Sequence, residues 1–446
     1  MARVLIVCGS GDNGADGLVL ARRLKGRGFG SVQVEPCVFQ VLPPKSSGCI
    51  LQTERAKKIG VEFTDRIFDA PLIVDCLFGS GFHGGLKPDI EELIIAINRL
   101  DGYKIACDVP SALDCAIKGS GAAFAADETV TMGAGKIQLY LDGAKDYTGR
   151  IFTASLGISD SVFEGAFKPD AMLLEESDLR LPTRKLKNVH KGSFGHVAVV
   201  SGTKPGAAVM AADSALHFGA GLVSLVSQAG APHFVVPYEL MLADKVPESA
   251  TALAIGMGLG LQAEDSAPYL ELINNRNLPV VLDADMFYCG TLPSLLAARS
   301  SAAKTILTPH PKEFAVMLKA CGLADVSVAD VQKDRLGFAK MFCEAYKNIV
   351  LVLKGATPII SVFSDAGFEA FFNPHGSPVL AKGGSGDVLS GLSAALLAQG
   401  LSAKDAAIQA SLAHALASAK AAQKISSYAF TPSALIEEIS LLEKEF

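Results

Sequence analysis

Short, nearly all-apolar runs recur along this chain, each followed by a stretch of helical period. Arg3 to Val7 is such a run, with a helix expected over Leu18 to Lys25. Ser31–Phe39, Pro71–Phe78, Tyr103–Val109 and Glu128–Gly133 continue the series. Asp89–Leu100 carries apolar residues at 90, 93, 94 and 97, a helical spacing. Strands buried on both faces read as continuous apolar runs, so the alternation predicts a parallel sheet covered by helices on either side. Between Gly157 and Arg184 the pattern loosens around Pro169, Pro182 and an acidic patch at Glu175, Glu176 and Asp178. A second series follows: His196–Ser201, Leu222–Ser227, Ala252–Gly258, Leu278–Asp283, Thr305–Thr308 and Ile349–Leu353. From Asp387 onward helices are expected over Leu389–Gln399, Lys404–Gln423 and Ser433–Glu443. The fold class expected is α/β: two three-layer domains, residues 1–168 with a doubly wound sheet and residues 169–446 with α/β/α layers.

Composition narrows the function classes. At about 150 residues per domain, 446 residues make two or three domains. Hydrophobic residues at 50% exclude disorder as the dominant state. Lys+Arg 40 against Asp+Glu 46 gives a net charge of −6, and without a basic run nucleic acid is not an expected partner. Nine scattered cysteines without a C-x-x-C pair form neither a disulfide framework nor a zinc site. The run Val4–Cys8 is too short for a signal sequence, and Gly206–Val226 is broken by Asp213 and His217. A soluble, cytoplasmic protein with no membrane partner is expected.

In the first half, Gly9-x-Gly11-x-x-Gly14 follows a strand and opens a helix, the arrangement in which backbone amides face a pyrophosphate. Glu35 stands near the acidic position of that fingerprint. Asp12 and Asp16, however, put two carboxylates in the loop, where they repel a diphosphate unless a cation intervenes. Asn13 and Asp16 are equally oxygen donors for a cation or a sugar hydroxyl. Asp75, Asp108 and Ser111 stand at further strand ends, which converge on one crevice in a doubly wound sheet. Gly79–Gly85 offers amides to an anion. The competing reading makes each Asp a helix cap, and three on successive strand ends weaken it.

The second half carries the strongest signal, Gly383-Gly-Ser-Gly386-Asp387 ahead of a long apolar helix. Unpaired amides and the positive helix end make an anion hole, and a carboxylate beside it suits phosphoryl transfer to a hydroxyl. The bland alternative is a glycine turn capped by Asp387. Lys354-Gly355 ends a buried strand, a plausible nucleotide-phosphate edge. Asp283 and Asp285, two apart, are expected on one face of a strand end, where one of them organises magnesium through water. His310 and Glu313 are open to metal ligation, but without a third ligand a structural or substrate-contacting histidine fits better. Gly256-x-Gly258-x-Gly260 lets a ligand approach the backbone. His414 reads as helix–helix packing.

Gly9–Gly17, Asp75-x-x-x-Gly79-x-Gly81 and Asp108-Val-Pro-Ser111-Ala-Leu-Asp114 resemble the NAD(P)H-hydrate epimerase family. That family shows G-x-G-N-N-G-G-D-G, D-A-x-x-G-T-G and D-x-P-S-G-L-D. This chain has Asp12 for an Asn, Ala15 and Ala112 for Gly, and begins at the first strand without the family's N-terminal helical segment. The resemblance implies a Rossmann-like domain that interconverts the R and S hydrates of NADH and NADPH. It also implies potassium held by Asn13, Asp75 and Ser111. Substrate would line Asp12, Asn13, Gly14, Ala15 and Asp16 and also Gly79, Ser80, Gly81, Phe82, His83, Gly84 and Gly85. Asp108 would be catalytic beside the reacting ring.

Read with His190–Val197, Pro205–Ala207, Gly256–Gly260, Leu282–Asp285, Leu307–Pro311 and Leu353–Gly355, the Gly-Ser-Gly-Asp segment resembles the ribokinase superfamily. Within it, the order of motifs is similar to the ADP-dependent NAD(P)H-hydrate dehydratases, with Met257 where Pro is usual and Lys312 where Gly is usual. This implies a ribokinase-like domain in which Ala207, Gly258, His310 and Asp387 meet the hydrate. Lys354, Gly355, Ala356, Thr357 and Gly386 would meet the adenine nucleotide, with magnesium and ADP as the co-substrate pair and Asp387 catalytic. Together the halves imply a bifunctional lyase and isomerase acting on small molecules, as a homo-oligomer. Two rivals stay open on the residues alone: a ribokinase-superfamily kinase for a small hydroxymethyl compound, and a first half that is a non-catalytic Rossmann-like module.

Overall fold

The computed structural model describes residues 2–29, 32–82, 84–166, 168–227, 236–299 and 304–442. The chain divides into two compact units, Met1–Lys168 and Pro169–Phe446.

In the first unit the central strands are parallel, in the spatial order Val32–Gln40, Ala2–Cys8, Leu72–Cys76, Tyr103–Cys107, Glu128–Met132 and Arg150–Ala154. Glu62–Thr64 pairs with Val32–Gln40, and the short strand Gly28–Phe29 folds back on it antiparallel. Alternate residues of the first strand feed opposite faces. Val4, Ile6 and Cys8 pack with Leu18 and Ala21, while Leu5 and Val7 pack with Ile90, Ile94 and Ile97. Leu5 and Ile6 are fully buried, each contributing about 1.5–3 kcal/mol. The helix expected over Asp89–Leu100 spans Pro88–Asn98, opened by a proline at its first turn. Ser46 caps the helix Ser47–Lys58, its hydroxyl accepting from the Cys49 amide at 3.1 Å.

The second unit's sheet runs Met241–Ala243, Leu222–Ser227, His196–Ser201, Ala252–Ile255, Val280–Leu282, Thr305–Leu307, Ile349–Leu353, all parallel. An antiparallel hairpin, Ile359–Ser364 and Gly367–Phe372, extends it, and Met172–Leu173 closes the edge. The hairpin is a strand pair the sequence reading did not place. Val197 and Val199 face the layer that holds Leu392 and Ala211, whereas Ala198 and Val200 face Phe314 and Phe342. The helix Ser385–Ala398 is buried from Val388 onward, which is why its sequence is apolar all round rather than amphipathic. Among the described residues no helix is long and apolar enough to cross a membrane.

Each sheet has a point where successive strands switch from one side of the first strand to the other, and ligands bind at such points beyond the strand C-termini. In the first unit it lies between Ala2–Cys8 and Leu72–Cys76; in the second, between His196–Ser201 and Ala252–Ile255. Both are built alike. A β-carbon at Gly9 would overlap the Leu77 carbonyl, and one at Gly202 the Leu259 carbonyl, so glycine lets the paired loops touch.

Candidate functional site

The first switch point opens into a cleft of about 650 Å³ lined by Asp12, Asn13, Asp16, Phe78, Asp108 and Lys136, among others. Gly79, Ser80, Gly81 and Phe82 line it too, as expected. His83 lies outside the described residues, and Gly84 and Gly85 are not part of the lining. Gly14 and Ala15 are buried within the helix Asp12–Leu24, behind the cleft rather than on it. Glu35 is engaged elsewhere, in an ion pair with Lys25.

Asp75 and Ser111 stand behind the cleft wall as a linked pair. Asp75 is 2% exposed. Its Oδ1 accepts from the Ser111 hydroxyl at 2.7 Å and the Leu77 amide at 3.1 Å, and its Oδ2 from the Ser111 amide at 2.7 Å. Burial still pushes its carboxyl up to about 6. The Phe78 amide donates to Ser111 Oγ at 2.8 Å, which ties this pair to the loop that lines the cleft. Asn13 is unlike them: its side-chain oxygen and nitrogen are both buried and without a partner. Buried amide groups are rarely left so, and a buried Oδ1 with no donor is an atom that a hard monovalent cation can take. The Asn13 oxygen therefore fits a potassium ligand, while both oxygens of Asp75 already accept from Ser111 and Leu77.

Asp108 is held from two sides. Its backbone sits at φ 70°, an uncommon region for a residue with a β-carbon. Lys136 Nζ lies 2.7 Å from its Oδ1, and the Ser80 amide donates to its Oδ2 at 3.1 Å. Burial raises the carboxyl, but those partners outweigh it and hold Asp108 below the ordinary carboxylate range. Asp16 moves the other way, raised by burial and then by the charges of Asp108 and Asp12. Ala112, where the family pattern has glycine, adopts φ 65°, so this chain keeps the turn at the cost of strain.

In the second unit, the residues singled out follow the C-termini of five neighbouring parallel strands. At the switch point, the Lys204 amide donates to the Gly258 carbonyl at 2.9 Å and the Ala207 amide to the Lys204 carbonyl at 3.3 Å, so Ala207 and Gly258 share one loop cluster. Lys354 Nζ lies 3.0 Å from Asp283 Oδ1 and 3.8 Å from Glu313 Oε2. Asp283 is 1% exposed, and its Oδ2 accepts from Ser390 at 2.7 Å. Glu313 accepts from the His310 amide at 2.8 Å while the Glu313 amide donates to His310 Nδ1 at 3.2 Å, a reciprocal cap of the helix Pro311–Ala320. Burial and then Lys354 lower His310, which keeps it neutral near pH 7. Asp387 opens the helix Ser385–Ala398 and is pushed up to about 6 by burial, then by Asp283, Glu313 and Asp285, against the pull of Lys354. Gly355 and Ala356 are exposed, and Thr357 is buried beneath them.

One expectation is corrected. Asp283 and Asp285 do not share a strand face: the strand ends at Leu282, Asp283 caps a 3-10 turn and Ala284 adopts φ 48°. Asp283 consequently points to Lys354 while Asp285 accepts from the Gly260 amide at 2.9 Å. Both carboxylates still raise Asp387. Asp283, Glu313 and Asp387 thus act electrostatically on Lys354, and Asp285 on Asp387, an excess of negative charge that fits a divalent cation. Among the described residues no three His, Cys, Asp or Glu side chains gather tightly enough to hold a metal alone. A magnesium ion bound here would take one or two of these carboxylates together with water and phosphates.

Some of these parts were not legible as motifs. Arg335, 1% exposed, donates to the Leu353, Lys354 and Thr357 carbonyls at 2.8, 3.0 and 3.0 Å and so fixes the loop that carries Lys354. Its helix, Arg335–Ala345, also carries Lys340 and Glu344, so no charge pattern marks Arg335 out. His414 does more than pack: its Nε2 lies 2.9 Å from the Ser385 carbonyl, inside the Gly-Ser-Gly-Asp segment. Lys136 had no motif at all.

The family described as NAD(P)H-hydrate dehydratase matches residues 197–441, and that described as YjeF-related protein N-terminus matches residues 1–137. The bifunctional NAD(P)H-hydrate repair enzyme of Helicobacter pylori is 41% identical over 99% of this chain and 90% of its own length. That of Escherichia coli is 33% identical over 93% and 79%. Among solved structures, the ADP/ATP-dependent NAD(P)H-hydrate dehydratase of Bacillus subtilis, co-crystallised with ATP/Mg2+, is 27% identical. It covers 62% of this chain and 98% of its own, with a TM-score of 0.52. Matched in both of its halves and along almost all of its length, the chain belongs to the family of bifunctional NAD(P)H-hydrate repair enzymes.

Proposed function

We propose that the first unit interconverts the R and S hydrates of NADH and NADPH, and that the second returns the S form to the reduced cofactor at the expense of ADP. The observation that carries the second activity is Asp387 at the amide-rich start of a buried helix, beside Lys354 and three further carboxylates. Hydroxide is a poor leaving group and phosphate a good one. In this reading Asp387 accepts the ring hydroxyl's proton as that oxygen bonds to the terminal phosphorus of ADP, and AMP departs. The amides of Gly383–Gly386 and the Lys354 ammonium hold the developing phosphoryl charge. The C–O bond then breaks with loss of phosphate, the neighbouring ring carbon gives up a proton, and the double bond returns. Ala207, Gly258 and His310 orient the hydrate; Lys354, Gly355, Ala356, Thr357 and Gly386 orient the nucleotide. Magnesium, when bound beside Asp283, Asp285 or Glu313, neutralises phosphate charge.

In the first unit, Asn13, Asp75 and Ser111 hold potassium, which supplies a positive charge among the carboxylates. Asp12, Asn13 and Asp16 in the helix Asp12–Leu24 and the loop Gly79–Phe82 seat the hydrate, and Asp108, kept ionised, stabilises positive charge that develops on the ring when its C–O bond weakens. The test follows NADH absorbance with R hydrate, magnesium and ADP, in potassium and again in choline. Recovery from R faster than spontaneous epimerisation is expected in potassium. It should slow toward the spontaneous rate in choline, while recovery from S is unchanged. Equal R recovery in both salts would overturn the potassium assignment, and recovery no faster than spontaneous would overturn the epimerase.

A further inference from the structure

The charged groups lining the first unit's cleft are Asp12, Asp16, Asp108 and Lys136, so among the described residues one cation faces three carboxylates. The position of that cation is built by the loop after the strand Glu128–Met132. Gly133 adopts φ 76° with the Leu156 side chain packed against it, and the Ala134 amide returns to the Met132 carbonyl at 2.9 Å. The chain therefore doubles back at once and brings Lys136 over the strand end it has just left. There Lys136 Nζ donates to the Met132 carbonyl at 2.6 Å and to Asp108 Oδ1 at 2.7 Å. Its side chain is 26% exposed and that of Asp108 15%, so the pair is neither fully buried nor free in solvent. An ammonium has three donors, and these two bonds leave one N–H, on a side chain that lines the cleft.

We propose that Lys136 is a catalytic residue of the epimerase reaction, giving that remaining proton to the ring hydroxyl as its C–O bond breaks. The inference rests on the epimerase reading of the cleft. The electrons balance without any added reagent. The proton passes from Nζ to the hydroxyl, which leaves as water, and the ring nitrogen's lone pair forms a C=N bond to the carbon it left. Water then adds to that carbon from the opposite face, and the proton it releases returns to the Lys136 amine through solvent. Asp108, 2.7 Å away, faces the cationic ring and steadies the ammonium in the same place. General acid catalysis of this kind contributes about 10²–10⁴-fold.

The test uses the whole chain with R hydrate, magnesium and ADP, with recovery from S hydrate as the control for the second unit and an unchanged KM for R as the control for a folded first unit. Lys136→Met is expected to lower kcat for the R hydrate by about 10²–10⁴-fold with KM little changed, leaving S recovery intact. Lys136→Arg keeps the charge beside Asp108 but does not give up a proton, so it is expected to be as impaired. Lys136→Ala should regain turnover in proportion to added propylamine. The proposal is overturned if Lys136→Met retains wild-type kcat, if arginine restores it, or if no amine rescues the alanine variant. The epimerase reading itself fails separately, if the unsubstituted protein does not act on R at all.

Discussion

Asp387→Asn is expected to slow nucleotide-dependent recovery of NADH from the S hydrate by about 10²–10⁴-fold, the range for removing a general base. Interconversion of R and S, which we assign to the other unit, should be unchanged. Asparagine has nearly the same shape, so the loss is not one of packing. Stability even moves the opposite way. Asp387 is raised to about 6, above its ordinary value, so the native state holds a proton that the unfolded chain has already lost. Its ionisation therefore subtracts stability progressively from the ordinary carboxylate range up to about pH 6, and the full deficit persists above that. The asparagine variant, having no charge to bury, should melt no lower than the wild type at pH 7.5. The same value sets a rate profile: wild-type recovery should fall as pH drops through about 6, where the base becomes protonated. A pH series of initial rates, beside melting curves for both proteins, checks all three points.

Lys354→Met is the second substitution with a large expected effect, and it acts through the charges it abandons. Asp283 is 1% exposed and has Lys354 at 3.0 Å as its cation, with Ser390 on its other oxygen. Removing one partner of a buried ion pair costs about 3–5 kcal/mol, because the remaining charge is left without compensation. Urea denaturation should register a loss of that size, and nucleotide-dependent recovery from the S hydrate should vanish. The double variant Lys354→Met with Asp283→Asn separates the two effects. Neutralising the orphaned carboxylate should return most of the stability while NADH recovery remains absent. A double variant as unstable as the single one would show that the pair is not what Lys354 holds together.

The parts of the molecule that could be read without coordinates are those whose signal is local. Asp387 is preceded by its own anion hole within five residues, and Gly9–Gly14 follows its strand directly. The strands read as continuous apolar runs because both of their faces are buried, as Leu5 and Ile6 illustrate. What escaped was set by topology. Lys136 stands 28 residues from Asp108, and only the doubling back of a glycine loop brings them together. The period of two failed at Asp283 and Asp285 because Ala284 leaves the extended region, so the chain turns before a second strand position is reached. Arg335 reaches the Lys354 loop from a helix that also holds Lys340 and Glu344, so one charge among several carried no signal. His414 looked like packing because its partner is a backbone carbonyl, which no side-chain pattern reveals.

The most direct measurement is a single turnover of S hydrate with ADP carrying a labelled β-phosphate. The products are separated at times when NADH absorbance is still rising. The account predicts that AMP and labelled inorganic phosphate appear one for one with NADH, and that a labelled phosphate ester of the hydrate, if seen, rises and decays between them. Recovery of NADH with the ADP left intact would contradict transfer at Asp387. A labelled ester that accumulates without yielding NADH would mark the second unit as a kinase instead.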